Sequence, residues 1–140
     1  MPKKPVTAII VQARLGSSRL PGKILRKIGG RTVLEHDIAR LKAVRHADLV
    51  VIATTDKESD ASVAEAAAAA GALVFRGDET DVLARYLGAA RMVDADVVMR
   101  VTSDCPLIDA AICDAVLALR AETGELMPFR PRMNRIAATK

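Results

Sequence analysis

Cationic and small polar side chains are concentrated in one stretch near the start of the chain. This stretch, the basic loop, reads Gln12-Ala-Arg-Leu-Gly-Ser-Ser-Arg-Leu-Pro-Gly-Lys23 and follows the apolar run Ala8-Ile-Ile-Val11. It carries the cations Arg14, Arg19 and Lys23, the hydroxyl groups of Ser17 and Ser18, and no acidic residue. Backbone N–H groups and fixed cations can share the charge of a bound anion. The stretch therefore predicts a polyphosphate-binding loop, and the alternative is a solvated surface loop. It matches neither a Walker A motif nor a G-x-G-x-x-G fingerprint.

Polar residues also follow three later apolar runs. They are Thr54-Thr-Asp56, Arg76-Gly-Asp78 and Arg100-Val-Thr-Ser-Asp104. Ligands of an open parallel sheet bind outside the carboxyl ends of its strands, so we expect Arg76 and Asp104 to join the basic loop on one rim. Cations there would bind phosphates, and the Asp104 carboxylate would hold a Mg²⁺ ion that bridges them. The alternatives are a turn or capping role for Asp104 and a surface ion pair between Arg76 and Asp78.

Four apolar runs alternate with four helical patterns along the chain. The predicted strands are 7–11, 49–53, 73–75 and 96–100. Thr32 and Glu35 form a capping box at the start of the first helix, and Asp109 caps the last helix. This alternation predicts an α/β fold with a parallel sheet covered by helices on both faces. We expect a nucleotide-binding α/β domain over 1–124 and an irregular basic tail over 125–140.

The composition narrows the class of protein. A chain of 140 residues suits one domain, and its net charge is +4. There is neither a lysine-rich tract nor a set of stacking aromatic residues, which argues against a nucleic-acid partner. No apolar run is long enough to span a membrane. The two cysteines, Cys105 and Cys113, lack metal-ligand spacing, so a reduced cytoplasmic protein is expected.

Four motifs resemble, in the right order, those of the cytidylyltransferase family that includes the spore coat polysaccharide biosynthesis proteins. They are Ile9-Ile-Val-Gln-Ala-Arg-Leu-Gly-Ser-Ser-Arg-Leu-Pro-Gly-Lys23, Val74-Phe-Arg-Gly-Asp78, Asp81-Val-Leu-Ala-Arg-Tyr86 and Arg100-Val-Thr-Ser-Asp-Cys-Pro-Leu-Ile-Asp109. The chain is more distantly similar to the acylneuraminate and 3-deoxy-manno-octulosonate cytidylyltransferases. The resemblance covers about residues 6–120 and several ordered motifs, so it is far more specific than a single glycine pattern.

The resemblance implies a Rossmann-like three-layer α/β/α sandwich with a mainly parallel sheet, of the nucleotide-diphospho-sugar transferase type. It implies transfer of a cytidylyl group from CTP to a sugar with release of pyrophosphate and with Mg²⁺, in surface polysaccharide biosynthesis. Carried over by position, Arg14, Ser17, Arg19 and Lys23 would hold the triphosphate, with Arg14 and Lys23 as the catalytic cations. Arg76 would lie near the nucleoside, and Asp104 would be a metal ligand.

The family pattern stops near residues 119–123, although relatives continue with strands that supply the sugar pocket and another acidic metal ligand. We therefore expect the C-terminal part of the fold to be missing, which would leave one sheet edge unpaired and favour self-association, for example as a homodimer. Two alternatives remain open. One is a nucleotide-binding module with little catalysis of its own, and the other is a sugar-nucleotide glycosyltransferase.

Overall fold

The computed structural model describes residues 3–16 and 18–124. Its strands are β1 (Thr7–Gln12), β2 (Lys27–Ile28), β3 (Arg31–Thr32), β4 (Leu49–Thr55), β5 (Leu73–Gly77) and β6 (Val97–Thr102). Its α-helices are α1 (Val33–Lys42), α2 (Ala61–Ala69), α3 (Val82–Met92) and α4 (Ala110–Thr123). Two short 3₁₀ turns cover Lys23–Leu25 and Glu58–Asp60. The predicted tail over 125–140 lies outside the described residues.

The main sheet has four parallel strands in the order β5-β4-β1-β6. From β1 the chain moves outward through β4 to β5, and it then returns to the other side of β1 to form β6. The strand order thus reverses between β1 and β6. A reversal of this kind opens a crevice outside the carboxyl ends of the two strands, where ligands of open α/β sheets bind.

Helices cover both faces of this sheet. Ile9 and Val11 of β1 pack in a core with residues of α1, α2 and α4, whereas Ala8 and Ile10 pack in a second core with residues of α3. Side chains alternate between the faces of a strand, so a β1 that is apolar at every central position is buried on both sides. The three-layer α/β/α sandwich expected from the sequence is confirmed.

Local sequence signals explain the helix boundaries. The capping box at the start of α1 is present, because Thr32 Oγ1 accepts from the Glu35 N–H while the Glu35 carboxylate accepts from the Thr32 N–H. Asp109 caps α4, which ends at Gly124 in the left-handed conformation that glycine tolerates. The antiparallel pair of β2 and β3 was not predicted, since each strand has only two residues.

The strands of the main sheet continue further than predicted at their carboxyl ends. β4 and β5 each extend two residues beyond the predicted end, to Thr55 and Gly77. Thr54 and Thr55 are polar yet fully buried, so the pattern of apolar residues alone ended β4 too early.

Within the described residues, β6 pairs only with β1 and therefore forms one edge of the sheet. Val98 of β6 and the nearby Leu83 of α3 are both exposed apolar side chains. None of the helices described is long and apolar enough to cross a membrane.

Candidate functional site

A cleft of about 320 Å³ lies at the strand-order reversal. We call it the β1–β6 cleft, and its lining comes from the end of β1, the basic loop and the end of β6. The lining residues are Gln12, Arg14, Gly16, Ser18, Arg19, Lys23, Ile24, Thr102, Ser103 and Asp104. The structure therefore brings together four of the predicted site residues, namely Arg14, Arg19, Lys23 and Asp104. Ser17, also predicted to bind phosphate, lies outside the described residues.

Hydrogen bonds hold the basic loop at both ends of its exposed part. The Ala13 N–H donates to Ala53 O of β4 at 3.1 Å, which extends the sheet by one residue. The Leu15 N–H then donates to Asp60 Oδ1 at 2.8 Å. The Gly22 N–H donates to Leu15 O at 3.1 Å, and this hydrogen bond closes the loop. Gly22 has φ +67°, a conformation that favours glycine.

Lys23, at the end of the basic loop, approaches Asp104, which follows the carboxyl end of β6. Lys23 Nζ lies 3.6 Å from Asp104 Oδ2, and the Thr102 hydroxyl donates to Asp104 Oδ1 at 2.6 Å. The Thr102 hydroxyl, with a further contribution from Lys23, lowers the pKa of Asp104 below its ordinary value. The carboxylate is therefore ionised at neutral pH and half-exposed to the cleft.

The other two cations of the cleft differ in their surroundings. Arg14 Nη1 lies 3.5 Å from Glu79 Oε1, and Lys57 pairs with the second oxygen of the same carboxylate. Arg19 is exposed within the cleft. The cleft therefore presents cations from three positions of one loop, with acidic partners at Asp104 and Glu79.

Arg76 does not line the β1–β6 cleft. Its Nε donates to Thr55 O at 3.0 Å and its Nη2 donates to Lys57 O at 2.7 Å. Arg76 thus supports the last residue of β4 and the backbone just after it, and β4 lies between β5 and β1 in the sheet. Asp78 accepts from the backbone N–H groups of Thr80 and Asp81. Arg76 and Asp78 therefore each bond to backbone groups and not to one another.

Two buried charged residues beside the basic loop were missed by the sequence analysis. Asp60 is 3% exposed and binds the loop backbone, as described above. Arg85 of α3 is 1% exposed, and its Nη1 donates to the carbonyl oxygens of Asp78 and Glu79. Burial, and then the charge of Arg14, lowers the pKa of Arg85. Because Asp60 reads as an ordinary helix start, the sequence offered little signal for its contact with the loop.

Asp37 is a third buried charged residue that was missed. It is fully buried on α1, and within the described part of the chain neither of its carboxylate oxygens has a hydrogen-bond partner. Burial, with a smaller contribution from the charge of Asp104, raises the pKa of Asp37 to about 7. The sequence did contain a signal, because Asp37 lies at helical spacing among Leu34, Ile38 and Leu41, on the face that a helix buries.

Comparison with known proteins places this architecture in a family. Residues 8–135 match the cytidylyltransferase family. The chain belongs to the cytidylyltransferase family. The resemblance recognised in the sequence motifs is thereby confirmed.

Three relatives illustrate this membership. The chain is 36% identical over 119 residues to the spore coat polysaccharide biosynthesis protein SpsF of Bacillus subtilis, a match that covers 82% of this chain and 50% of the relative. It is 41% identical to a cytidylyltransferase from Leptospira borgpetersenii of known structure, with a TM-score of 0.79, covering 83% of this chain and 49% of the other.

The third is a CMP:2-keto-3-deoxy-manno-octonic acid synthetase solved in complex with CTP. It is 28% identical with a TM-score of 0.77, and the match covers 86% of this chain and 49% of the synthetase. The chain thus spans about half the length of the curated relatives it matches.

Proposed function

We propose that the protein transfers a cytidylyl group from CTP to a sugar and releases pyrophosphate, in the synthesis of a surface polysaccharide. The observation that carries this proposal is the convergence of Arg14, Arg19, Lys23 and Asp104 on the β1–β6 cleft. Family membership supports CTP as the nucleotide, since a relative of similar fold was solved with CTP. The names of other relatives support a sugar acid or a coat polysaccharide precursor as the acceptor class.

The basic loop would hold the triphosphate. Three cations and the loop backbone face one cleft, and a triphosphate offers several negative charges to them. Arg14, Arg19 and Ser17 would bind and orient the phosphate chain, and Lys23 would lie beside the phosphate that reacts. Arg76 would act near the nucleoside, by holding the backbone after β4 through its bonds to Thr55 O and Lys57 O.

The family implies a divalent metal ion, and the residues present fit Mg²⁺. Mg²⁺ is commonly held by one or two carboxylates together with substrate phosphates and water. Asp104 offers one ionised, half-exposed carboxylate within the cleft. Asp104 would hold the ion, which when bound would neutralise charge on the phosphate oxygens.

The reaction depends mainly on the stabilisation of negative charge by cationic groups that are already in position. A sugar oxygen would attack the α-phosphorus in line, so that a new O–P bond forms while the bond to the bridging oxygen breaks and pyrophosphate leaves. Negative charge develops on the phosphoryl oxygens and on the leaving group, and preorganised cations lower the barrier to such steps. Arg14 and Lys23 are the catalytic residues in this proposal, because both line the cleft in which the phosphates would lie.

Titration of CTP with Mg²⁺ into wild-type protein and the Lys23→Ala variant tests the nucleotide site. We expect the variant to bind at least tenfold more weakly, a loss of about 1.4 kcal/mol. Lys27→Ala is the matched control, because Lys27 is an exposed lysine of β2 that does not line the cleft. Equal affinity of all three proteins for CTP would show that the basic loop is a solvated surface loop and does not bind the nucleotide.

A nucleotide-binding module with little turnover is the second candidate. It is favoured by one observation: among the described residues that line the β1–β6 cleft, Asp104 is the one acidic side chain, and a single exposed carboxylate holds Mg²⁺ weakly. Pyrophosphate release in the presence of CTP, Mg²⁺ and sugar-acid acceptors separates the two functions, since the module would bind CTP without releasing pyrophosphate.

The cellular setting is part of the same proposal. We place the protein in the cytoplasm, and this is supported by its two free cysteines, Cys105 and Cys113, since thiols stay reduced in that compartment. A homodimer remains a prediction, supported by the exposed apolar residues Leu83 and Val98 beside the edge strand β6.

A further inference from the structure

Asp60 uses its side chain in an unusual way for a residue at a helix start. It is the N-cap residue of α2, and an aspartate there ordinarily accepts from N–H groups of its own helix. Among the described residues it makes no such bond. Its Oδ1 instead accepts from the Leu15 N–H at 2.8 Å, and its Oδ2 accepts from the buried Thr55 hydroxyl. The carboxylate therefore joins the end of β4 to the basic loop.

Leu15 makes two backbone hydrogen bonds, one to the rest of the fold and one within the basic loop. Its N–H is bound by Asp60, and its carbonyl oxygen accepts from the Gly22 N–H. Its immediate neighbours Arg14 and Gly16 both line the β1–β6 cleft. A shift of the Leu15 backbone would therefore move the residues that face the ligand on both sides of it.

The charge of Asp60 also suits this position. Arg14 and Arg85 repel each other, and Asp60 attracts Arg85. Because Asp60 is only 3% exposed, its hydrogen bonds are shielded from competing water.

We propose that Asp60 is a positioning residue that fixes the backbone of the basic loop in its polyphosphate-binding shape. It acts through the Leu15 N–H and contacts no substrate. The inference rests on the proposed function of the loop, and it adds a residue outside the cleft on which nucleotide affinity depends.

Two substitutions separate the hydrogen bonds of Asp60 from its charge. Asp60→Ala removes both bonds. Asp60→Asn keeps an oxygen for the Leu15 N–H, and its amide can donate to the Thr55 hydroxyl. We expect Asp60→Ala to bind CTP with Mg²⁺ at least fivefold more weakly and Asp60→Asn to bind within twofold of wild type. Inorganic tripolyphosphate should show the same order, since the loop recognises phosphates.

Asp48→Ala is a matched control for a purely structural loss. Asp48 Oδ2 accepts from the Thr7 N–H at 2.8 Å, which is also a long-range bond from a carboxylate to the backbone, but it lies at the amino end of β1 and away from the basic loop. This variant should lose stability and bind CTP within twofold of wild type. A loss of affinity in Asp48→Ala equal to that in Asp60→Ala would overturn the inference.

Amide hydrogen exchange supplies a readout that does not need a nucleotide. The Leu15 N–H should exchange at least tenfold faster in Asp60→Ala and at the wild-type rate in Asp60→Asn and Asp48→Ala. Unchanged protection of Leu15 in Asp60→Ala would overturn the inference, whatever the affinity. If Asp60→Ala does not fold, Thr55→Val removes one of the two contacts of Asp60 and should show the same changes, at twofold or more.

The same measurements distinguish this inference from the proposed function. If wild type binds CTP and Asp60→Ala binds equally well, only the inference fails. If wild type binds tripolyphosphate and not CTP, the proposed function fails, and the inference is decided by the tripolyphosphate affinities and by Leu15 exchange. If wild type binds neither ligand, both fail.

Discussion

The carboxyl group of Asp37 makes the stability of the fold depend on pH in a direction opposite to that of most acidic residues. Burial raises its pKa from the ordinary value of 3.8 to about 7. Between these two pH values the folded chain holds a proton that the unfolded chain has lost. The free energy of unfolding therefore falls as pH rises from about 4 to about 7 and then becomes constant. The difference in pKa corresponds to about 4 kcal/mol in total.

Replacement of Asp37 by Asn removes this titration and keeps the size of the side chain. We expect the free energy of unfolding of Asp37→Asn, relative to wild type, to increase by about 3 kcal/mol between pH 4.5 and pH 8, since part of the total change lies below pH 4.5. The buried amide adds a constant cost, and comparison of the two proteins across pH cancels it. Other titrating groups cancel in the same way.

Urea unfolding at several pH values measures these differences, and Glu65→Gln serves as the control because Glu65 is exposed on α2. Comparison with the control separates the effect of removing a buried carboxyl group from that of removing an exposed one. A difference between Asp37→Asn and wild type that changes by less than about 1 kcal/mol over the same interval would refute a buried, unpartnered carboxyl at this position. The charge of Asp104 contributes to the raised pKa of Asp37. The free energy of unfolding of Asp104→Asn should therefore decrease less over this pH interval than that of wild type.

The cleft leads to three further predictions. Asp104→Asn should weaken CTP binding in Mg²⁺ but much less in EDTA, by calorimetry; equal losses in both would indicate a turn or capping role. Glu79→Gln releases Arg14 from a half-exposed ion pair and should raise tripolyphosphate affinity by at most about fivefold; a loss of affinity would contradict this role. Pyrophosphate release by this chain with CTP and a sugar acid at about 1 per second or faster would support the transferase and exclude the low-turnover module, whereas CTP binding without such release would contradict the transferase.

The placement of the cleft could be predicted because it depends on local patterns. The apolar run before the basic loop identified β1, and the polar residues up to Asp104 identified the end of β6. The capping box of Thr32 and Glu35 located α1 without any tertiary information. Parallel pairing then brings such strand ends to one edge of the sheet, so the meeting of Lys23 with Asp104 followed from topology.

The remaining features depend on tertiary contacts that have no local signature. Asp60 and Leu15 lie 45 residues apart in the chain, and nothing near either residue indicates their hydrogen bond. Arg76 was expected beside the ligand because it follows the third predicted strand, yet its Nε and Nη2 donate to the carbonyl oxygens of Thr55 and Lys57 instead. The burial of Arg85 depends on the backbone of Asp78 and Glu79 folding around its guanidinium.

The reversal of strand order has a consequence for how the molecule is assembled during synthesis. The backbone just before β1 is bonded to a residue 90 positions later, at the start of β6. Contacts this far apart form late, because a long segment of chain must be closed before they are made. The first strand and its loop leave the ribosome early, but the cleft is complete only when β6 has joined the sheet. A ligand that requires Lys23 and Asp104 together would then bind only the fully formed sheet and stabilise that state by mass action.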